Sequence, residues 1–203
     1  MTYPDFFAQA PVVRVRDRLA ELLGAADGGV MDYHYADAVR LAGHSCPTVA
    51  GAFLLGRAAL AMLYPDEVPE RGGVSVRLPA PVTEGTTGVV GQVLTLLTGA
   101  AAENGFHGLG GRHVRYGLLS YAADAQDDAI VFRRLDTGAC VALSLDVSSS
   151  PADPAQRMLL GAVMQGNADE AQRRAFGEAW QDRVRRLLLE HADDPQVIRA
   201  QRR

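Results

Sequence analysis

The sequence predicts an α+β fold: a mixed β-sheet flanked by helices and followed by a C-terminal helical tail. Three observations carry this. Strand-type and helix-type patterns are interleaved without strict alternation, which argues against a doubly wound α/β sheet. A long apolar stretch, residues 47–63, reads as a buried helix. Two alternating runs flank Asp136-Thr137-Gly138, a hairpin signal. With 203 residues, 48% hydrophobic and 22% charged, the chain is long enough to bury a core without disulfides or metal staples.

From the N-terminus, residues 16–23 read as a short amphipathic helix stopped by Gly24, and residues 30–33 as a short strand. Residues 35–41 have helical spacing and stop at Gly43. Pro47 suits the first turn of the apolar helix, whose many alanines and glycines allow close approach of neighbouring backbones. Residues 73–78 alternate like a strand, and residues 87–97 read as a second helix rich in small residues. The segment 98–111, TGAAAENGFHGLGG, is predicted to be a loop that bends tightly or approaches a ligand. Strands are expected over 113–121, 129–135 and 139–146. Helices are expected over 153–164 and 168–191, the latter docking through Phe176, Trp180, Val184 and Leu187/Leu188. Ser148-Ser149-Ser150-Pro151 is the candidate boundary between a core, 1–150, and a helical extension packed on it, 151–203.

Composition excludes several chemistries. The formal net charge is -4, from 24 acidic and 20 basic residues, so there is no electrostatic footprint for nucleic acid or an anionic membrane. Every basic residue is arginine, which rules out a lysine Schiff base and a P-loop lysine. Neither GxGxxG nor GxSxG is present. The first residues lack the basic region of a signal peptide, and no apolar run is long enough to span a bilayer. A cytoplasmic protein with free thiols at Cys46 and Cys140 is the expectation. Cys140, between Ala139 and Val141, is expected to pack in the core. The arginines at 173, 174, 183, 185 and 186 interleave with acids and are expected on a solvated helix face.

The chemistry is expected at Gly43-His44-Ser45-Cys46-Pro47. On a regular helix, His44 and Cys46 would diverge by about 200°. Here glycine ends one helix and proline begins the next, so nonhelical dihedrals can bring the two side chains together. Cys46 would stand at the N-cap of the apolar helix, where partial positive charge and unpaired amides favour a negative sulfur. Sulfur plus imidazole suits zinc, or else iron, nickel or copper. The competing reading is a small buried hydrophobe beside a capping polar group. Further ligand candidates are His34, His107, His113, Glu103 and Asp32, with the glycine-rich loop expected as the opposite wall of the site.

AGHSCPTVAGAFLLGRAAL resembles the GHxCPG signature of the FmdE family, named for a component of formylmethanofuran dehydrogenase, and the similarity extends over about residues 30–146. It continues through VVGQVLTLLTGAAAENGFHGLGGR, where the family has a helix and a TGCTxGKGN-like loop, and through RRLDTGACVALSLD. The resemblance implies a thioredoxin-like core, a metal site on the histidine and cysteine of GHxCP (His44 and Cys46), and homodimers. The chain departs from the family pattern at Ala100, where the family loop has cysteine, and lacks the loop lysine. It also has helices where some members carry a zinc finger.

The expected function is therefore metal binding, zinc foremost, at His44 and Cys46, with His107 and His113 as further ligands. In an enzyme, a metal-bound water or Cys46 would be the reactive group, and Glu103 or a loop histidine would move protons. The alternatives are a noncatalytic protein that binds or senses a metal or small ligand, and a metal-free redox-sensing thiolate.

Overall fold

The computed structural model describes residues 3–123 and 128–201. Its class is α+β. A short 3-10 helix, Asp5–Gln9, precedes strand β1 (Val13–Arg16), helix α1 (Arg18–Leu22) and strand β2 (Val30–Tyr33). Helices α2 (Tyr35–Ala42) and α3 (Pro47–Leu63) follow, then β3 (Val74–Leu78), α4 (Thr87–Thr98) and β4 (Leu119–Tyr121). The chain continues with β5 (Ile130–Arg134), β6 (Cys140–Leu145), α5 (Pro154–Met164), α6 (Glu170–Leu189) and β7 (Ile198–Gln201).

The main sheet has the order β4-β3-β5-β6-β7. β3 and β4 run parallel, so the chain crosses over between them, and α4 is that crossover. The other neighbours are antiparallel. β5 and β6 form the expected hairpin, with Gly138 at φ 75° supplying the left-handed turn position. β1 and β2 form a separate antiparallel ribbon.

The core lies between the main sheet and α3. Val74, Val76 and Leu78 of β3, Phe132 of β5 and Leu143 of β6 face it, together with Phe53, Leu54, Leu55 and Leu60 of α3. α3 touches α2, α4, α6 and the β5–β7 side of the sheet. This coverage explains why the helix is apolar all round. Gly56 makes the α3–α4 approach possible: a Cβ there would lie 2.7 Å from Leu97 Cδ1.

Three expectations need correction. The strand expected from His113 is confined to Leu119–Tyr121, because the glycine-flanked segment before it turns, with His113 itself at φ 59°. Cys140 is exposed, because it opens β6 opposite Arg133, on the solvent face of the sheet. Beyond the expected helices, β7 adds a fifth strand beside β6, so Ile198–Gln201 are built into the sheet. Among the described residues, no helix is long and apolar enough to cross a membrane.

A buried ionic cluster ties the N-terminal ribbon to the rest. Asp17 caps α1 through the amides of Leu19 and Ala20 and bonds both Arg71 and Arg115 at 2.8 Å. Arg71 also reaches the carbonyl of Leu96 at the end of α4, 3.1 Å away. Arg115 donates to the Arg71 carbonyl. Burial works to raise the Asp17 pKa, but the Arg71 hydrogen bond, the two guanidinium charges and the Ala20 amide outweigh it and hold the carboxyl below its ordinary value.

A depressed carboxyl stabilises the fold above its unfolded value and loses that contribution as pH falls through the folded value. The loss therefore lies on the acid side of about pH 4. Asp17→Ala is expected to lower unfolding free energy by about 3 kcal/mol at neutral pH, because it strands the buried guanidinium of Arg115 and the half-buried one of Arg71. The deficit should shrink as the wild type is acidified, and urea titrations at neutral and acid pH measure both effects.

Candidate functional site

The GHSCP junction forms as its sequence dictates. Gly43 ends α2 at φ 75°, with its amide bonded to the Val39 carbonyl at 2.9 Å. Cys46 is extended, at φ −151°, and is the N-cap of α3, with Pro47 at the first helical position. Its Sγ accepts the Val49 amide at 3.5 Å, and the residue is 9% exposed. Sulfur thus occupies the place where a serine or aspartate oxygen commonly satisfies a free helix amide.

His44 is exposed, and its Nδ1 lies 3.0 Å from the Ala42 carbonyl. A carbonyl can only accept, so Nδ1 carries the proton and Nε2 of the neutral ring keeps its lone pair. Metal-binding histidines commonly have their second ring nitrogen committed in this way.

Ser45, between them, is the anchor. Its Oγ donates to Gln181 Oε1 at 2.9 Å, so the Tyr35 hydroxyl, also at 2.9 Å, must donate to Ser45 Oγ. Burial pushes the Tyr35 hydroxyl far above its ordinary value, which keeps it a protonated donor. The Ser45 carbonyl accepts from Trp180 Nε1 at 3.0 Å and from Gln181 Nε2 at 3.3 Å. One turn of α6 therefore clasps the junction. The tail supplies part of the site as well as packing on the body.

His44 and Cys46 line one cavity, of about 490 Å³. Thr86 and Val90 at the start of α4 form one wall, Leu145 and Val147 at the end of β6 another, and Trp180 and Arg183 of α6 a third. This corrects the expectation that the glycine-rich loop is the opposite wall. The loop leaves α4 at its far end, about 18 Å along the helix from Thr86 at 1.5 Å per residue. Glu103 and His107 are exposed on that loop, with His107 stacked on Tyr116 at 4.6 Å. None of Glu103, His107 and His113 is among the residues lining the His44–Cys46 cavity.

His113 instead lines a second cavity, of about 620 Å³, with Arg16, Arg18, Arg71, Arg115 and Arg134. Four of these five arginines hold carboxylates: Arg18 with Glu70, Arg71 and Arg115 with Asp17, and Arg134 with Glu67 and Asp136. Of the remaining candidates, His34 caps α2 and Asp32 pairs with Arg14. Among the described residues, no group of three or more His, Cys, Asp or Glu side chains is gathered to hold an ion.

The sequence expectation missed Arg183, which it placed on a solvated face. Arg183 is three residues from Trp180 and four from Leu187, so helical spacing puts it at the docking stripe. Its neighbours Arg185 and Arg186 do pair with Asp182, as expected of a surface face.

No protein-family model and no curated protein matches this chain.

Ser45→Ala is expected to destabilise the protein by about 2 kcal/mol, because the Tyr35 hydroxyl and the Gln181 carboxamide each lose a part-buried partner. Thermal and urea unfolding measure it. The same substitution at exposed Ser120, on β4, should change stability little.

Proposed function

We propose that this protein binds a thiophilic divalent metal ion, zinc foremost, through Cys46 Sγ and His44 Nε2, and that the adjoining cavity receives a small molecule there. The observation that carries the proposal is the commitment of the His44 Nδ1 proton to the Ala42 carbonyl. It leaves the other ring nitrogen free in a side chain that shares a cavity with a sulfur at a helix N-terminus. The pairing accords with the resemblance of AGHSCPTVAGAF to the GHxCPG signature of the FmdE family. Membership of that family, its thioredoxin-like core, its homodimeric assembly and a cytoplasmic location belong to the same proposal.

The donor set fits a soft ion of low protein coordination. Catalytic zinc commonly takes three protein ligands and keeps an open position. Two donors on this chain leave positions for the small molecule or for a side chain of a second copy. Once bound, the ion would supply Lewis-acid charge to an oxygen or sulfur of that molecule. The chain's own residues do the rest. The Ala42 carbonyl orients His44, the Val49 amide orients Cys46, and Trp180 and Val90 contribute apolar surface to two walls of the cavity. Glu103, His107 and His113 take no part.

Untagged protein is expected to carry stoichiometric zinc, lost in both His44→Ala and Cys46→Ala. Added zinc should slow iodoacetamide alkylation of Cys46 while leaving exposed Cys140 unaffected. Equal, near-zero metal in all three proteins, with no protection of Cys46, would overturn the assignment and leave a metal-free thiol in a ligand pocket.

A further inference from the structure

Two arginines in the linings of these cavities have no ion-pair partner among the described residues, Arg16 and Arg183, and Arg16 is exposed whereas Arg183 is not. It is half-buried and lines the same cavity as His44 and Cys46. Its Nε donates to the Ser150 carbonyl at 2.6 Å, and the Ser150 hydroxyl bonds back to the Arg183 carbonyl at 3.5 Å. The Nε bond fixes the stem of the side chain and leaves the terminal Nη1 and Nη2 as donors still to be matched. Among the described residues, no carboxylate forms an ion pair with it. Arg186, one turn on, repels it. Burial and that repulsion both work against its charge, and lower its pKa from the ordinary arginine value. A half-buried guanidinium without a counter-charge is costly to hold, so its placement beside a reactive pair calls for an anion.

The rest of the lining defines that anion. Trp180, Val90, Leu145 and Val147 offer apolar surface, and Thr48 and Thr86 offer hydroxyls. A single guanidinium carries one positive charge in a fork that matches a carboxylate. A phosphate dianion would bring a second charge that this lining does not answer.

We propose that the cavity takes a small carboxylate with a short apolar body, its carboxylate held by Arg183 and its far end presented to Cys46 and His44. The inference deepens the proposed function by naming the ligand class of that site, yet it requires only the cavity and Arg183, and so it is testable in metal-free protein.

The probes are iodoacetate and iodoacetamide, which differ in charge at nearly equal size. In protein treated with a chelator, the iodoacetate-to-iodoacetamide rate ratio at Cys46 should exceed that at Cys140 in the same molecule. Arg183→Gln should lower the Cys46 ratio by about tenfold, the worth of a charge-assisted hydrogen bond, and leave the Cys140 ratio unchanged; the ratio cancels any change in thiolate content, which acts on both reagents alike. Arg183→Lys should retain part of the preference. A Cys46 ratio that equals that of Cys140, or that survives Arg183→Gln, overturns the inference. A parallel measurement covers a Cys46 shielded from both reagents or an Arg183→Gln that fails to fold. Propionate should raise the melting temperature of the wild type, and propionamide and inorganic phosphate should not. Equal effects of propionate and propionamide, or stabilisation by phosphate alone, also overturn it. Failure of the zinc experiment leaves both results readable, so the two proposals fall separately.

Discussion

α3 is apolar almost all round and exposes little beyond Ala61 and Met62 in its last turn, and much of the structure follows from covering it. Arg57 is the single charged residue of this helix, and it too is drawn into the tail, bonding Asp193 at 2.7 Å and the Ala192 carbonyl at 3.3 Å. The sheet covers one side, α4 a second through the Gly56 contact, and α2 and α6 the remainder. Once a helix is enclosed in this way, its N-terminal amides emerge where water is scarce and must find partners in the protein. Pro47 removes one such donor, and the Cys46 sulfur takes another from Val49. The Ser45 carbonyl, just outside the helix, is met by Trp180 and Gln181. The candidate site is thus the point at which the burial of α3 forces side chains from α2, α3 and α6 to converge.

What could be read from the sequence was mostly local. Gly43, Pro47 and the apolar run of 47–63 act through their own backbone dihedrals and periodicity, so the bounds of α2 and α3 could be anticipated within a residue. The same holds for the hairpin at Gly138. The junction between two helices was visible for the same reason, and with it the convergence of His44 and Cys46 on one cavity. The identity of the opposite wall was not visible. It depends on the direction of α4, whose first turn reaches the cavity while its last turn carries the glycine-rich loop away. Glycines marked that loop as special, but they serve turns and close approaches there: Gly105 and Gly108 lie against the backbone of Tyr116 and Arg112. β7 was equally hidden, because a four-residue edge strand is defined by the partner it pairs with.

The two cavities show why charge content alone is a poor guide to a site. The larger has five arginines in its lining, yet four are already matched to carboxylates, and Asp17 binds two of them at once. That network joins the N-terminal ribbon to the end of α4, and a network whose charges are already answered has little to offer a ligand. The smaller cavity has one arginine and no acid in its lining. An unanswered charge in a partly apolar enclosure costs stability, and proteins tend to retain such costs where function requires them.

Arg183 comes from the tail, whereas His44 and Cys46 come from the body, and this division has a thermodynamic consequence. The tail docks by burying Val184, Leu187 and Leu188 and through a few polar contacts: the indole and carboxamide of Trp180 and Gln181 on Ser45, the Arg57–Asp193 pair, and the β7 pairing with β6. A ligand that spans Arg183 and the Cys46–His44 pair adds one more bridge between tail and body. It binds the docked arrangement better than any arrangement in which α6 has moved away, so occupancy and docking must reinforce each other. The same linkage runs in reverse: whatever weakens the Ser45 clasp also weakens the site, although it touches none of the groups that meet the ligand. In such a site, the tail helix that covers α3 is also the element that selects what the body can bind.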